Sequence, residues 1–300
     1  MNRGHLSSPR MRPAAAGASS RRRSWILKVA MGLSMSAAFF VALLLLDALP
    51  GFITPAQVQE RTVADNLPEP PAPVVTTQPS NRARLAIVID DWGYPSPYSA
   101  EFLSMDIPLT AAVIPHETAS QRHLEQAKAA GFDVLVHLPM EPGNAQLVTS
   151  GMITVDMETA EVSTLTREAL RGLPGVVGVN NHMGSKATED ERVVQAVLEV
   201  MAEEGLLFLD SRTSSNSVAA AIATQLGVPT LENAVFLDGE ADEEYIRGQL
   251  LYAARQAQRN GAAVAIGHLR PKTAQAIQKT LPELEQMEIE LVRISELVAN

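Results

Sequence analysis

Leu85-Ala86-Ile87-Val88-Ile89-Asp90-Asp91 is a short apolar run that ends abruptly in two carboxylates. Three further runs share this design: Val134-Leu-Val-His137, Val176-Val-Gly-Val-Asn-Asn-His182 and Ala263-Val-Ala-Ile-Gly-His268. Continuous β-branched stretches of this length read as parallel strands buried on both faces. Loops at the carboxyl ends of such strands build active sites. The pattern predicts two Asp and three His converging on one place, as in a metal-assisted hydrolase.

Outward from these runs, strand and helix signals alternate from Arg84 to the end of the chain. Strands are predicted near 85–90, 109–114, 133–138, 176–181, 206–210, 234–237, 263–267 and 289–293. Helices fall near 117–130, 157–172, 188–204, 215–226, 241–259 and 271–286. Gly205 and Gly227 stand where left-handed caps end helices, and Glu189-Asp190-Glu191 places negative charge at a helix amino end. This α/β alternation predicts a (β/α) barrel, complete or distorted, with a doubly wound open sheet as the alternative.

The amino-terminal 83 residues are of another kind. Residues 1–24 are rich in Arg, Ser and Ala and read as a disordered basic segment. Arg21, Arg22 and Arg23 then precede an apolar stretch, predicted as a membrane anchor over 25–49. Basic residues on its amino side predict that end in the cytoplasm and the body outside, periplasmic in a Gram-negative cell. A cleaved signal peptide and a buried soluble helix are the alternatives. Seven prolines in 50–83 mark a semi-rigid linker, and 84–300 form the predicted catalytic domain. Residues 1–83 hold 9 Lys+Arg against 4 Asp+Glu, whereas 84–300 hold 15 against 30. An acidic body argues against nucleic acid as a partner. With no cysteine in the chain, a metal would have to use His and carboxylate.

Each candidate has a plainer reading. Asp90 and Asp91 are neighbours, whose side chains face opposite ways on a regular strand. A bend at the strand end brings both to one site; otherwise one caps a turn with Gly93 and Pro95. Pro139 argues that His137-Leu-Pro-Met-Glu141 is a loop, its His a metal ligand or a buried partner of backbone. His182, with Asn181, Gly184 and Ser185, reads as a site loop or as an Asn/Gly turn. His268 could serve as general acid or sit at the core edge. Asp210 and Arg212 could orient catalytic groups or form a structural ion pair. His116 could line the site, whereas His123, among Gln121, Arg122 and Glu125, reads as a solvated helix residue.

These residues resemble a known family. Leu85-Ala-Ile-Val-Ile-Asp-Asp-Trp-Gly is similar to the first motif of polysaccharide deacetylases, a strand ending in Asp-Asp-Gly, with Trp92 intervening here. Gly131-Phe-Asp-Val-Leu-Val-His-Leu-Pro-Met-Glu141 resembles the second motif, and Ala265-Ile-Gly-His268 the last. The overall sequence looks most like the divergent subgroup. The resemblance implies an irregular (β/α) barrel and a divalent metal, zinc by expectation. It implies Asp90 as catalytic base, Asp91 and His137 as metal ligands, and His268 as general acid. Glu141 stands where that family has a second His. Either Glu141 ligates or His182 supplies the missing imidazole, and the reading favours His182. The implied function is removal of an N-acetyl or other acyl group from a cell-envelope glycan. The alternative is an inactive glycan-binding or protein-recruiting module on the same fold.

Overall fold

The computed structural model describes residues 82–298. The predicted basic segment, membrane anchor and most of the linker lie outside them. Among the described residues no helix is long and apolar enough to cross a membrane.

Nine strands form one sheet: β1 (Ala83–Trp92), β2 (Thr110–Val113), β3 (Asp133–Met140), β4 (Gly178–Met183), β5 (Leu207–Asp210), β6 (Thr230–Glu232), β7 (Val235–Phe236), β8 (Ala262–His268) and β9 (Ile289–Val292). Among the described residues seven α-helices accompany them: α1 (Ser99–Leu103), α2 (Ser120–Ala129), α3 (Thr159–Gly172), α4 (Glu191–Glu204), α5 (Ala219–Leu226), α6 (Glu243–Asn260) and α7 (Pro271–Gln286). The strand order is β6-β5-β4-β3-β2-β1-β8-β7, and every ladder is parallel. β9 joins β1 through Ala83–Ala86, leaving Val88–Trp92 to pair with β2 on the carboxyl side. The two ends of the path, β6 and β7, are successive pieces of one chain segment parted by Asn233 and Ala234. The sheet is thus a curled, incomplete barrel rather than an open doubly wound sheet.

Strand alternation sorts the core into two. Leu85, Ile87 and Ile89 pack outward with helix residues such as Leu124, Val197 and Ile277. Ala86, Val88, Leu135, Leu207, Leu209, Val264 and Ile266 form a separate cluster that includes no residue of α1–α7, so it fills the barrel interior. Continuing each interior row by two residues gives Asp90, His137, Ser211 and His268. An aliphatic plug thereby becomes the floor of a polar site at the carboxyl ends of the strands.

Several boundaries differ from expectation. His137 and His182 lie inside β3 and β4 rather than in loops, and Pro139 pairs in register with His182. Proline is tolerated because β2 stops pairing at Val136; Pro139 O accepts from Ile153 N at 2.9 Å on the edge β2 has vacated. α2 begins at Ser120 because Ser120 Oγ caps Glu117 N and donates to Ile114 O, which holds the preceding residues in a turn. α4 begins after Asp190, whose carboxylate accepts from Val193 N at 2.9 Å. Gly205 and Gly227 end α4 and α5 in left-handed conformation, as their positions predicted.

At the end of β1, Ile89 pairs with Ala111 but Trp92 with Val113, so β1 carries one extra residue there. This bulge has Asp91 at φ 67°. Gly93 follows at φ 127°, where a Cβ would stand 2.9 Å from Ile114 O. Gly93→Ala is expected to destabilise the domain by roughly 2 kcal/mol from backbone strain alone. A lowered denaturation midpoint with unchanged m-value would show it.

Candidate metal centre

The bulge solves a problem of strand geometry. On a regular strand Asp90 would face the interior and Asp91 the helices. The left-handed turn at Asp91, which Asp tolerates better than most residues, swings its carboxylate back over the interior. Asp91 Oδ1 then lies 3.2 Å from His182 Nδ1 and 3.5 Å from His137 Nε2. The two imidazoles meet edge to face, His182 Nδ1 being 3.0 Å from His137 Nε2. Asp91, His137 and His182 thus offer three ligand atoms within 4.8 Å of one another.

Their chemistry fits a cation. Asp91 Oδ1 is buried, and neither imidazole meets it with hydrogen-bond geometry. An orphaned carboxylate oxygen facing two ring nitrogens is what a divalent metal would satisfy. Asn180 supports this by fixing the tautomer of His137. Its Oδ1 can only accept, so His137 Nδ1, 2.9 Å away, carries the proton and Nε2 presents a lone pair to the group.

The same Asn180 donates from Nδ2 to Asp90 Oδ1 at 2.9 Å. Asp90 Oδ2 is left facing His137 Nε2 at 3.5 Å. The two carboxylates titrate in opposite directions. Burial dominates at Asp90 and pushes its pKa up, against the charges of His137 and His268. Burial would also raise Asp91, but its contacts with His137 and His182 outweigh that and hold it far below the usual carboxylate range. Burial likewise opposes charge on His137, where Asp90 and Asp91 prevail and raise the pKa. One carboxylate is therefore suited to hold a cation and the other to take a proton.

His268 stands directly beside Asp90 across the β1–β8 ladder. Its Nδ1 lies 2.7 Å from Asp238 Oδ1, and its backbone N donates to Asp238 Oδ2 at 2.9 Å. Thr273 Oγ1 donates to the same Oδ2 at 2.7 Å. Phe236 stacks on the imidazole. Burial opposes charge on His268, but Asp238 outweighs it and raises the pKa.

The model of the divergent polysaccharide deacetylase family matches residues 87–298, from the first interior strand to the end of the described fold. The chain belongs to the divergent polysaccharide deacetylases. An uncharacterised protein of Haemophilus influenzae is 36% identical over 219 residues, covering 73% of this chain and 78% of its own length. The uncharacterised Escherichia coli protein YibQ is 36% identical over 222 residues, covering 74% and 69%. A crystal structure of an uncharacterised protein from Agrobacterium tumefaciens C58 superposes with a TM-score of 0.70 at 25% identity, covering 74% of this chain and 91% of that one.

Within this deacetylase-family fold the other candidates fall away from the central cluster. Glu141 is engaged elsewhere: Oε1 pairs with Lys186 Nζ at 2.7 Å and Oε2 accepts from Val155 N at 2.7 Å. It fastens the 141–155 excursion to the loop after β4, and it is absent from the ligand group. Asn181 and Ser185 also hold loops, through Ser211 N and Gly143 N respectively. Asp210 Oδ1 caps Arg212 N at 2.7 Å, and Arg212 pairs with Glu232 at 3.3 Å. The direct bonds to Asp90, His137 and His268 come from Asn180 and Asp238. An open cleft of about 210 Å³ adjoins His182, with His116, Tyr94, Met152 and Leu165 among its walls. His123 is fully buried, contrary to its reading as a surface residue. Ser120, His123, Leu124 and Ala127 form the buried face of α2, and His123 Nδ1 accepts from Gly93 N at 3.0 Å.

Asn180 could have been suspected from the period of two that sets it in line with His182. Asp238 ends the apolar run Ala234-Val-Phe-Leu, two residues past interior-facing Phe236, but only the packing of β7 against β8 pairs it with His268.

Proposed function

We propose that this protein is a metal-dependent amidohydrolase that removes an N-acetyl or related acyl group from a cell-envelope glycan. The observation that carries the reading is the orphaned Asp91 Oδ1 beside His137 and His182, with Asp90 and His268 flanking it. Asp91, His137 and His182 would hold a divalent ion, zinc by the chemistry of an imidazole and carboxylate set. Such an ion supplies Lewis acidity toward the amide carbonyl and the attacking water.

The chain's own groups handle the protons. Asp90 Oδ2 takes the proton of the attacking water, its raised pKa making it a stronger base than an exposed carboxylate. Asn180 keeps Asp90 Oδ1 occupied and so aims Oδ2 at the site. His268, held through Nδ1 by Asp238, presents Nε2 to the departing amine and protonates it. The cleft beside His182, with exposed Tyr94 at its edge, offers a surface for the adjoining sugar. The apolar segment over 25–49 would tether the domain on the outer face of a membrane, with 50–83 as spacer.

The test is metal content together with acyl release from chitooligosaccharides or peptidoglycan fragments. One bound zinc and measurable release support the enzyme. Bound zinc without release, and with Asp90→Asn behaving as wild type, would leave only a binding module. A pH profile adds a second check. His268 must be protonated to act, so turnover falls as pH rises through its pKa. Asp238→Asn removes the negative partner that raises that pKa. The alkaline limb of the rate profile is expected to move to lower pH, and an unmoved limb would discount His268 as the acid.

A further inference from the structure

The turn that carries Asp91 is itself held from behind by a histidine outside the cluster. Gly93 N donates to His123 Nδ1 at 3.0 Å, and Gly93 O accepts from Ala119 N at 2.8 Å. Trp92 is fully buried, its ring edge-to-face with His123 at 5.3 Å and with Phe102 at 6.3 Å. Trp92 O accepts from Ile114 N at 2.7 Å. Trp92 and Gly93, the two residues that follow Asp91, are therefore fixed by the start of α2 and the chain leading into it. His123 supplies the one side-chain bond in that set, and it is completely buried on a helix of ten residues.

Burial makes this bond consequential. A buried backbone N–H without an acceptor costs most of its desolvation penalty. Gly93 is two residues from Asp91, whose φ of 67° has to be maintained against a preference for extended backbone. If Gly93 N loses its acceptor, the bulge can relax toward regular strand and carry the Asp91 carboxylate off the interior face. Because Nδ1 accepts, the ring proton lies on Nε2, which has no partner.

We propose that His123 is a positioning residue for the metal centre, acting through Gly93 to hold Asp91 in its left-handed turn. The inference rests on the metal reading above. His123→Leu removes the acceptor at similar bulk, whereas His123→Asn can return one through Oδ1. Leu124→Ala, its buried neighbour on α2, serves as the control for lost stability. In the full-length chain, zinc affinity is measured by chelator competition and Gly93 amide exchange by NMR on metal-free protein. His123→Leu is expected to weaken zinc binding about tenfold or more and to deprotect Gly93 to a similar degree. His123→Asn should recover most of both, and Leu124→Ala should lower the melting temperature while leaving zinc affinity within a few-fold. Wild-type zinc affinity in His123→Leu, or an equal loss in Leu124→Ala, would overturn the proposal. If the wild type binds no zinc, the metal reading fails by itself. Gly93 exchange then decides whether His123 holds the bulge: protection unchanged in His123→Leu overturns that role as well.

Discussion

His137→Ala is expected to abolish stoichiometric zinc binding and, with it, turnover. His137 is the central member of the cluster, with contacts to Asp90, Asp91, His182 and Asn180. Its removal takes away one of three ligands and strands Asn180 Oδ1 in a buried place. Asp90 also loses a neighbour that lowers its pKa. Loss of a ligand from a three-residue set should weaken zinc by at least the 10–100-fold typical of merely disturbing a ligand's support. Zinc retained at wild-type affinity in the dialysed variant would remove His137 from the metal site. His182→Ala should behave alike, and Glu141→Ala should not, since Glu141 is bonded to Lys186 and Val155 instead.

Asp90→Asn has the second large effect and separates chemistry from binding. The amide has nearly the shape of the carboxylate and can still face Asn180, but it cannot take a proton. Turnover should fall on the order of 10²–10⁴-fold, the range for loss of a general base. Zinc content should stay at the wild-type level, because Asp91, His137 and His182 form the ligand group without Asp90. Calorimetric zinc titration beside a rate measurement checks both halves. A variant that loses zinc and rate together would place Asp90 among the ligands. One that keeps its rate would exclude it as the base.

The two predictions turn on residues of unequal legibility. Asp90, His137 and His268 could be read directly, because each continues an apolar row whose period of two fixes its face. His182 is legible as a candidate, but the sequence places it in a loop; β4 reaches it only because its register with Pro139 and Met140 extends the ladder. Asp91 needed the bulge, which is a property of two strands compared and not of either alone. His123 looks like a surface residue in the sequence because α2's buried face carries polar Ser120 and His123 beside Leu124 and Ala127. Those side chains satisfy backbone groups of the 93–117 turns, a demand that arises only once the turns are folded.

By itself the sequence determined the alternation of strands and helices, the parallel sheet, and the end of the sheet where polar groups gather. These follow from periodicity, and periodicity is local. Only the tertiary structure decided that Asp90 and Asp91 share a face, that Asn180 joins Asp90 to His137, and that Asp238 bonds His268. It also decided that Glu141 is occupied by Lys186, leaving His182 to stand beside His137 and Asp91. Each of these is a contact between strands or loops distant in sequence, set by register and packing that no single segment encodes.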